Sequence, residues 1–162
     1  KGPQLLVGSS LGGWISLLMS KRIPDRVIGL VTIAAAPDFT EDGFWADFSD
    51  DQKRQVMEDG QVALPSDYGD PYIITRRMIE DGRDQFVMRD PLPLPFPVRM
   101  VQGTEDASVS SQTALNLLHH AECDDIRLTL VKGKDHSFSD PDCLKLIETS
   151  ITKVLKRVGS NT

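Results

Sequence analysis

The sequence is poor in the residues that mark disulfide scaffolds, metal sites and nucleic-acid binding. Its 162 residues include two cysteines and three histidines, without the CxxC or Cys/His spacing of a metal site. We therefore predict no metal, no cofactor and a reduced intracellular protein, with a single disulfide left open. The formal net charge of −6 argues against a nucleic-acid partner, because such proteins carry a basic patch.

Long apolar runs are also missing. No segment approaches the roughly 20 apolar residues that cross a membrane, so we predict no transmembrane segment, and the start has no signal-peptide pattern. We expect a cytoplasmic protein, or a mitochondrial one if the source is eukaryotic. The chain opens on Lys1 and almost at once on an apolar run, so we expect further sequence upstream.

Short apolar runs alternate with helical patterns over most of the chain. The run at 27–33 is continuously apolar, which is typical of a strand covered by helices on both faces. Strands that alternate with helices form right-handed βαβ units around a parallel sheet. We therefore predict an α/β fold, a three-layer sandwich on a mostly parallel sheet, in one domain over 1–162. The predicted strands are 4–7, 27–33, 98–103 and 126–131, and the predicted helices are 11–22, 111–121 and 141–158.

Residues 38–97 interrupt this alternation. The segment holds most of the aromatic residues and many acids, and we predict helices over 50–59, 71–81 and 82–89. It ends in the proline-rich run 91–97, where the density of proline excludes a helix and predicts a stiff connector. We interpret 38–97 as a helical cap inserted between two strands of the sheet.

The segment from Gly8 to Gly13 lies between the first predicted strand and the first predicted helix. A Gly-x-Ser-x-Gly pattern in this setting is typical of a nucleophile elbow, so we predict Ser10 as the nucleophile. The backbone N–H of Leu11 is then one donor of an oxyanion hole. A glycine-rich phosphate loop shares this order of elements, but the Lys-Ser/Thr of a Walker motif is absent.

The glycines of this segment are predicted to serve the sharp bend. Residues two before and two after the serine crowd the turn, so we expect only glycine to fit at Gly8 and Gly12. Gly13 is expected to relax the start of the helix further.

A serine hydroxyl needs a base, and in this arrangement an acid and then a histidine follow it in the chain. His136 lies in the loop after the fourth strand, where such sites are built, and we predict it as the base. His119 and His120 lie inside a predicted helix and are expected to be surface or packing residues. The loop after the third strand supplies the acid. We predict Asp106, with Glu105 as the alternative.

These motifs resemble those of the α/β-hydrolases. Within them the sequence is similar to the group of mitochondrial palmitoyl-protein thioesterases and acyl-glucuronide esterases and its bacterial relatives. The resemblance places the catalytic residues on Ser10, Asp106 and His136, and it also implies about four strands and a second oxyanion donor before Ser10. Val109 precedes Ser110, where the family often has a proline. The resemblance rests on residues 2–14, 64–68, 102–106 and 135–136.

The predicted function is hydrolysis of a carboxylic ester or thioester through an acyl-enzyme on Ser10. The substrate would be a small molecule or an acylated partner, with an apolar acyl group under the cap. Two alternatives stay open: a catalytically inactive, hydrolase-like binding module, and the same three residues used in perhydrolase or C–C hydrolase chemistry. An exposed edge on the first strand would favour association, so a homo-oligomer also stays open.

Overall fold

The structure is a computed structural model that describes residues 2–65 and 69–159. The described residues form eight strands and five α-helices. The strands are β1 (Gln4–Ser9), β2 (Val27–Ile33), β3 (Gln61–Leu64), β4 (Tyr72–Thr75), β5 (Leu92–Pro93), β6 (Val98–Gly103), β7 (Ala121–Glu122) and β8 (Ile126–Val131). The helices are α1 (Leu11–Arg22), α2 (Asp50–Asp59), α3 (Arg76–Arg83), α4 (Ser111–His120) and α5 (Pro141–Gly159).

Two compact units make up the chain: Lys1–Pro37 with Val87–Thr162, and Asp38–Phe86. The second unit therefore ends earlier than the predicted insertion, and residues 87–97 lie with the sheet. Burial explains the difference, since Val87 and Leu92 are completely buried and β5 pairs in parallel with β7.

The sheet of the first unit has the order β1-β2-β6-β8 and is parallel throughout. The two central strands are buried almost residue by residue, and the two outer strands are more exposed. The parallel pairing of these four strands, with helices between them in the chain, confirms the predicted α/β fold. Register pairs Ser9 with Ile33 and Gly103 with Val131, so the carboxyl ends of all four strands reach one edge.

Helices pack on this sheet through small and apolar residues. α1 lies against β1 and β2, α4 against β6 and β8, and α5 against β2 and β6. A side chain at Gly29, in the middle of β2, would collide with Val154 of α5, so glycine lets that helix approach. Ile33 and Val101 form a core cluster with Phe138 and Cys143.

The second unit differs most from its prediction. The helix over 50–59 is confirmed, and Ser49 and Gln52 form a capping box at its start. The prediction of a helix over 71–81 is wrong in its first half, because β4 pairs antiparallel with β3 and only 76–83 is helical. The predicted helix over 82–89 is also wrong, since α3 ends at Arg83.

Two further features concern the cysteines and the helix lengths. Cys123 and Cys143 are both free thiols. Across residues 2–65 and 69–159, no helix is long and apolar enough to cross a membrane. In the same residues, no three His, Cys, Asp or Glu side chains cluster as metal ligands would.

Candidate active site

Ser10 occupies a strained turn between β1 and α1. Its backbone has φ 52° and ψ −120°, a conformation that glycine adopts readily and other residues rarely. Hydrogen bonds fix it on both sides, since its N–H donates to the Ile33 carbonyl at 2.8 Å and its carbonyl accepts from Ala36 N–H at 3.2 Å. The turn is therefore tied directly to the end of the neighbouring strand β2.

The structure confirms the predicted crowding at Gly8 but not at Gly12. A Cβ at Gly8 would collide with the Gly12 carbonyl oxygen, and a Cβ at Gly13 would lie 2.6 Å from Ala35 Cβ. Apart from its chain neighbours and the backbone of its own helix, no atom of the described residues lies within 4 Å of the position that a Cβ on Gly12 would take. The expectation that Gly12 is required by crowding is therefore wrong, and the close approach falls one residue later, where α1 meets the end of β2.

Leu11 is the first residue of α1 and follows Ser10 directly. The N–H groups in the first turn of a helix have no acceptor within that helix, and the helix dipole makes this end positive. An oxygen that gains negative charge beside Ser10 would be stabilised there. The assignment of the Leu11 N–H as an oxyanion donor stays a prediction.

Ser10, His136 and Asp106 form a hydrogen-bonded row. The Ser10 hydroxyl lies 3.0 Å from His136 Nε2, and His136 Nδ1 lies 2.8 Å from Asp106 Oδ2. His136 is 126 positions from Ser10 and 30 positions from Asp106 in the chain, yet all three meet at the carboxyl edge of the sheet. A carboxylate only accepts, so Nδ1–H donates to Asp106 and Nε2 is left to take the serine proton.

The carboxylate of Asp106 is completely buried, whereas the His136 side chain is 32% exposed. Burial by itself raises the pKa of Asp106, but hydrogen bonds from Val109 N–H, His136, Ser108 N–H and the Gln102 amide together lower it below its usual value. Asp106 is therefore ionised at neutral pH, as a group that orients an imidazole and stabilises its charged form must be.

Glu105, the alternative acid, does not occupy this place. Its backbone N–H donates to the Lys134 carbonyl at 3.0 Å, and its neighbour Asp106 carries the contact to His136. A side chain at Gly103 would collide with the same Lys134 carbonyl, so glycine lets the loop after β6 approach the loop after β8. The Gly133 N–H donates to Thr104 Oγ1 at 2.9 Å and joins these two loops a second time.

Phe138 anchors the loop that carries His136. Its ring is 1% exposed and packs with Ile33 and Val101, and its backbone has φ 49°. Its N–H donates to Asp135 Oδ1 at 3.2 Å, which closes a tight turn around His136. Burial of the ring thus fixes the position of His136, the predicted base, from two residues away.

The other two histidines lie elsewhere. His119 is exposed on α4, and His120 Nε2 lies 2.9 Å from the Asp90 carbonyl and 3.2 Å from the Val87 carbonyl. Neither has a hydrogen bond to Ser10 or Asp106 among the described residues. His120 therefore has a structural role, because it contacts the segment before β5.

Two residues of the site were missed by sequence reasoning, Phe138 and Gln102. Gln102 lies in the apolar run of β6, is 1% exposed and donates to Asp106 Oδ2 at 2.9 Å. A signal was available, because a polar side chain inside a buried strand needs a partner. For Phe138 the sequence signal is weaker. Its position two residues after a loop histidine does not indicate into which core cluster its ring packs.

Comparisons with known proteins add to this geometry. No family model matches the chain. Mitochondrial palmitoyl-protein thioesterase ABHD10 of Rattus norvegicus is 29% identical over 164 residues, which covers 100% of this chain and 55% of that protein. The chain thus spans about half the length of the curated relatives it matches.

Solved structures agree with the observed architecture. A proposed hydrolase from Agrobacterium vitis S4 has a TM-score of 0.88 and 38% identity, covering 93% of this chain and 60% of that one. Mouse alpha/beta hydrolase domain-containing protein 10 has a TM-score of 0.87 and 28% identity, covering 98% and 64%. The chain therefore has the α/β-hydrolase fold, and its sequence resembles these proteins over 93% or more of its length.

Proposed function

We propose that the protein is a serine hydrolase that cleaves a carboxylic ester or thioester. The observation that supports this most directly is the row of Ser10, His136 and Asp106, with contacts of 3.0 and 2.8 Å. The strained turn at Ser10 also supports the proposal. Such backbone strain persists only where the surrounding structure imposes it, and it clusters at active sites. Hydrolysis of an acyl bond uses these groups in the order in which they lie.

In the first half of the reaction, Ser10 Oγ attacks the substrate carbonyl carbon and His136 Nε2 accepts the hydroxyl proton. The buried Asp106 carboxylate stabilises the resulting imidazolium, and the Leu11 N–H donates to the oxyanion. When the tetrahedral intermediate collapses, the bond to the leaving group breaks and His136 returns the proton to the departing alcohol or thiol. The acyl group is then esterified to Ser10.

In the second half, water replaces the leaving group. His136 takes a proton from water, whose oxygen attacks the acyl carbon. The ester bond to Ser10 breaks, Oγ receives the proton back and the free acid departs. One imidazole thus acts as base and acid in turn, which requires the single orientation that Asp106 imposes on it.

The acyl group is proposed to be apolar, from the name of the curated relatives, palmitoyl-protein thioesterase. The sequence predicts that the aromatic residues of the cap cover the acyl group. This prediction cannot apply to all of them. Phe44 and Trp45 pack against buried Phe48 in the core cluster of the second unit, and Phe39 lies against Phe44 with ring centroids 4.4 Å apart. Part of that aromatic content is therefore the core of its own unit.

A fluorophosphonate probe and a p-nitrophenyl ester test the proposal. Wild-type protein is expected to be labelled at Ser10, located by peptide mass spectrometry, and Ser10→Ala is expected to lose labelling and at least about 10³-fold in hydrolysis. Ser9→Ala is the matched control, since it removes the neighbouring exposed hydroxyl at the end of β1. Wild-type hydrolysis by Ser10→Ala would refute the proposal, and an unlabelled wild type would favour a binding module.

A further inference from the structure

Gln102 is a polar side chain buried in the sheet beside the proposed site. It is 1% exposed, and its amide nitrogen donates to Asp106 Oδ2 and to the Val109 carbonyl, both at 2.9 Å. A third acceptor, the Gly103 carbonyl, lies at 3.3 Å. One amide nitrogen therefore joins the proposed acid to both ends of the loop that carries it.

The other end of the same amide has no such partners. Gln102 Oε1 is buried and has no hydrogen-bond partner among the described residues, an arrangement that costs stability. Turning the amide over would place Oε1 against Asp106 Oδ2 and the Val109 carbonyl, so that oxygens would face oxygens. The amide thus keeps its nitrogen toward Asp106 although its oxygen stays unsatisfied, and the donor is what this position requires.

The carboxylate of Asp106 has four acceptor sites and four donors. Oδ1 accepts from the backbone N–H groups of Ser108 and Val109, each at 2.8 Å. Oδ2 accepts from His136 Nδ1 and Gln102 Nε2. Oδ2 is therefore shared between the proposed base and a neutral amide, and the amide limits how much negative charge reaches the imidazole.

We propose that Gln102 is a positioning residue that acts through Asp106, and this role rests on the function proposed above. By donating to the same Oδ2 that accepts from His136, its amide weakens the attraction between Asp106 and the charged imidazole. Since two backbone N–H groups hold Oδ1, loss of the amide leaves the carboxylate in place with more charge on Oδ2. The protonated form of His136 is then favoured.

The test is a pH titration of the His136 ring by NMR in the full chain. Gln102→Met keeps the length of the side chain and removes the amide, and the midpoint of the His136 titration is expected to rise. Gln112→Met is the matched control, because the Gln112 amide contacts only Asn116 in the described residues and lies exposed on α4. Gln102→Leu is measured in parallel as a second apolar variant.

A second background separates this role from a purely structural one. With Asp106→Asn already present, Gln102→Met should leave the His136 midpoint unchanged, because the two residues act in one chain of contacts. An unchanged or lowered midpoint in Gln102→Met, or an equal rise with and without Asp106→Asn, would overturn the proposal. In an active wild type, the acid limb of the pH–rate profile should move by the same amount while KM stays constant.

The titration needs no turnover, so the two proposals fail separately. Absence of probe labelling at Ser10 in the wild type counts against the serine hydrolase. An unshifted His136 midpoint in a labelled, active protein counts against Gln102 alone.

Discussion

The glycines at the start of α1 allow a sharp test of how the turn at Ser10 is built. In Gly13→Ala, the new Cβ would lie 2.6 Å from Ala35 Cβ and 2.9 Å from Ala35 Cα. Ordinary carbon contacts begin near about 3.5 Å, so α1 or the end of β2 must move. In Gly12→Ala, the Cβ meets no atom of another described segment within 4 Å.

The expected magnitudes follow from two opposing effects. Alanine is more favourable than glycine inside a helix by about 0.5–1 kcal/mol, and this gain applies to both variants because both positions lie in the first turn. Overpacking a close contact costs about 1–3 kcal/mol, and this cost applies to Gly13→Ala alone. The difference in unfolding free energy between the two variants is therefore expected to be about 1–3 kcal/mol, with Gly12→Ala the more stable protein.

Urea denaturation and differential scanning calorimetry measure this difference. For a chain of this size, a loss of 1 kcal/mol lowers Tm by about 2–4 °C, so the two variants should be separated by several degrees. Gly12→Ala should unfold at or above the wild-type temperature. If it is destabilised as much as Gly13→Ala, the crowding lies around the serine as the sequence pattern predicted, and the contact between α1 and Ala35 does not explain the turn.

Two further predictions concern the loops beyond β6 and β8. Gly103→Ala should displace the Lys134 carbonyl, lower stability by about 1–3 kcal/mol and slow probe labelling of Ser10 about 10²-fold. Hydrogen bonds from Cys143 and Lys134 lower the pKa of Asp140 to about 2. As the pH falls, Asp140 is protonated first in the unfolded chain, because its pKa is lower in the folded protein. The contribution of Asp140 to the free energy of unfolding is therefore complete above about pH 4 and is lost toward about pH 2. Asp140→Asn should flatten that slope in urea titrations.

The sheet unit could be predicted closely because its signals are local. A continuous apolar run sets β2, apolar residues interrupted by polar ones set β6 and β8, and the helical pattern over 11–22 sets α1. The row of Ser10, Asp106 and His136 followed for a topological reason. In a parallel sheet the loops after successive strands meet at one edge, so three residues far apart in the chain could be placed together without knowledge of any contact.

The second unit was predicted less well because its strands depend on each other. Ile73, Ile74 and Thr75 favour a strand through their β-branched side chains, but that preference is decided only by pairing with β3. Thr75 then caps α3 by accepting from Met78 N–H. A helical interpretation that ignored this cap began five residues too early.

One stretch on which the family resemblance rests is residues 64–68. Of these, residues 66–68 lie outside the described residues.

The roles of Gly12, Gly13 and Gln102 could not be predicted from sequence patterns, because they depend on contacts with other segments of the chain. A motif reports which residues recur around a serine, but the atom that each glycine must avoid belongs to another segment, such as Ala35 beyond β2. Likewise a glutamine in an apolar run signals that it has a partner, and only the fold identifies Asp106 as that partner.

Backbone strain follows the same edge of the sheet as the hydrogen-bonded row. Ser10, Ala34 and Phe138 have φ of 52°, 46° and 49°, and each such conformation costs about 1–3 kcal/mol in a non-glycine residue. Glycine would remove the strain, but at Ser10 it would also remove the hydroxyl, and at Phe138 the ring that anchors the loop of His136. At these two positions the side chain is therefore needed more than relief from strain. The stability spent there is spent on the proposed nucleophile and on the support of its base.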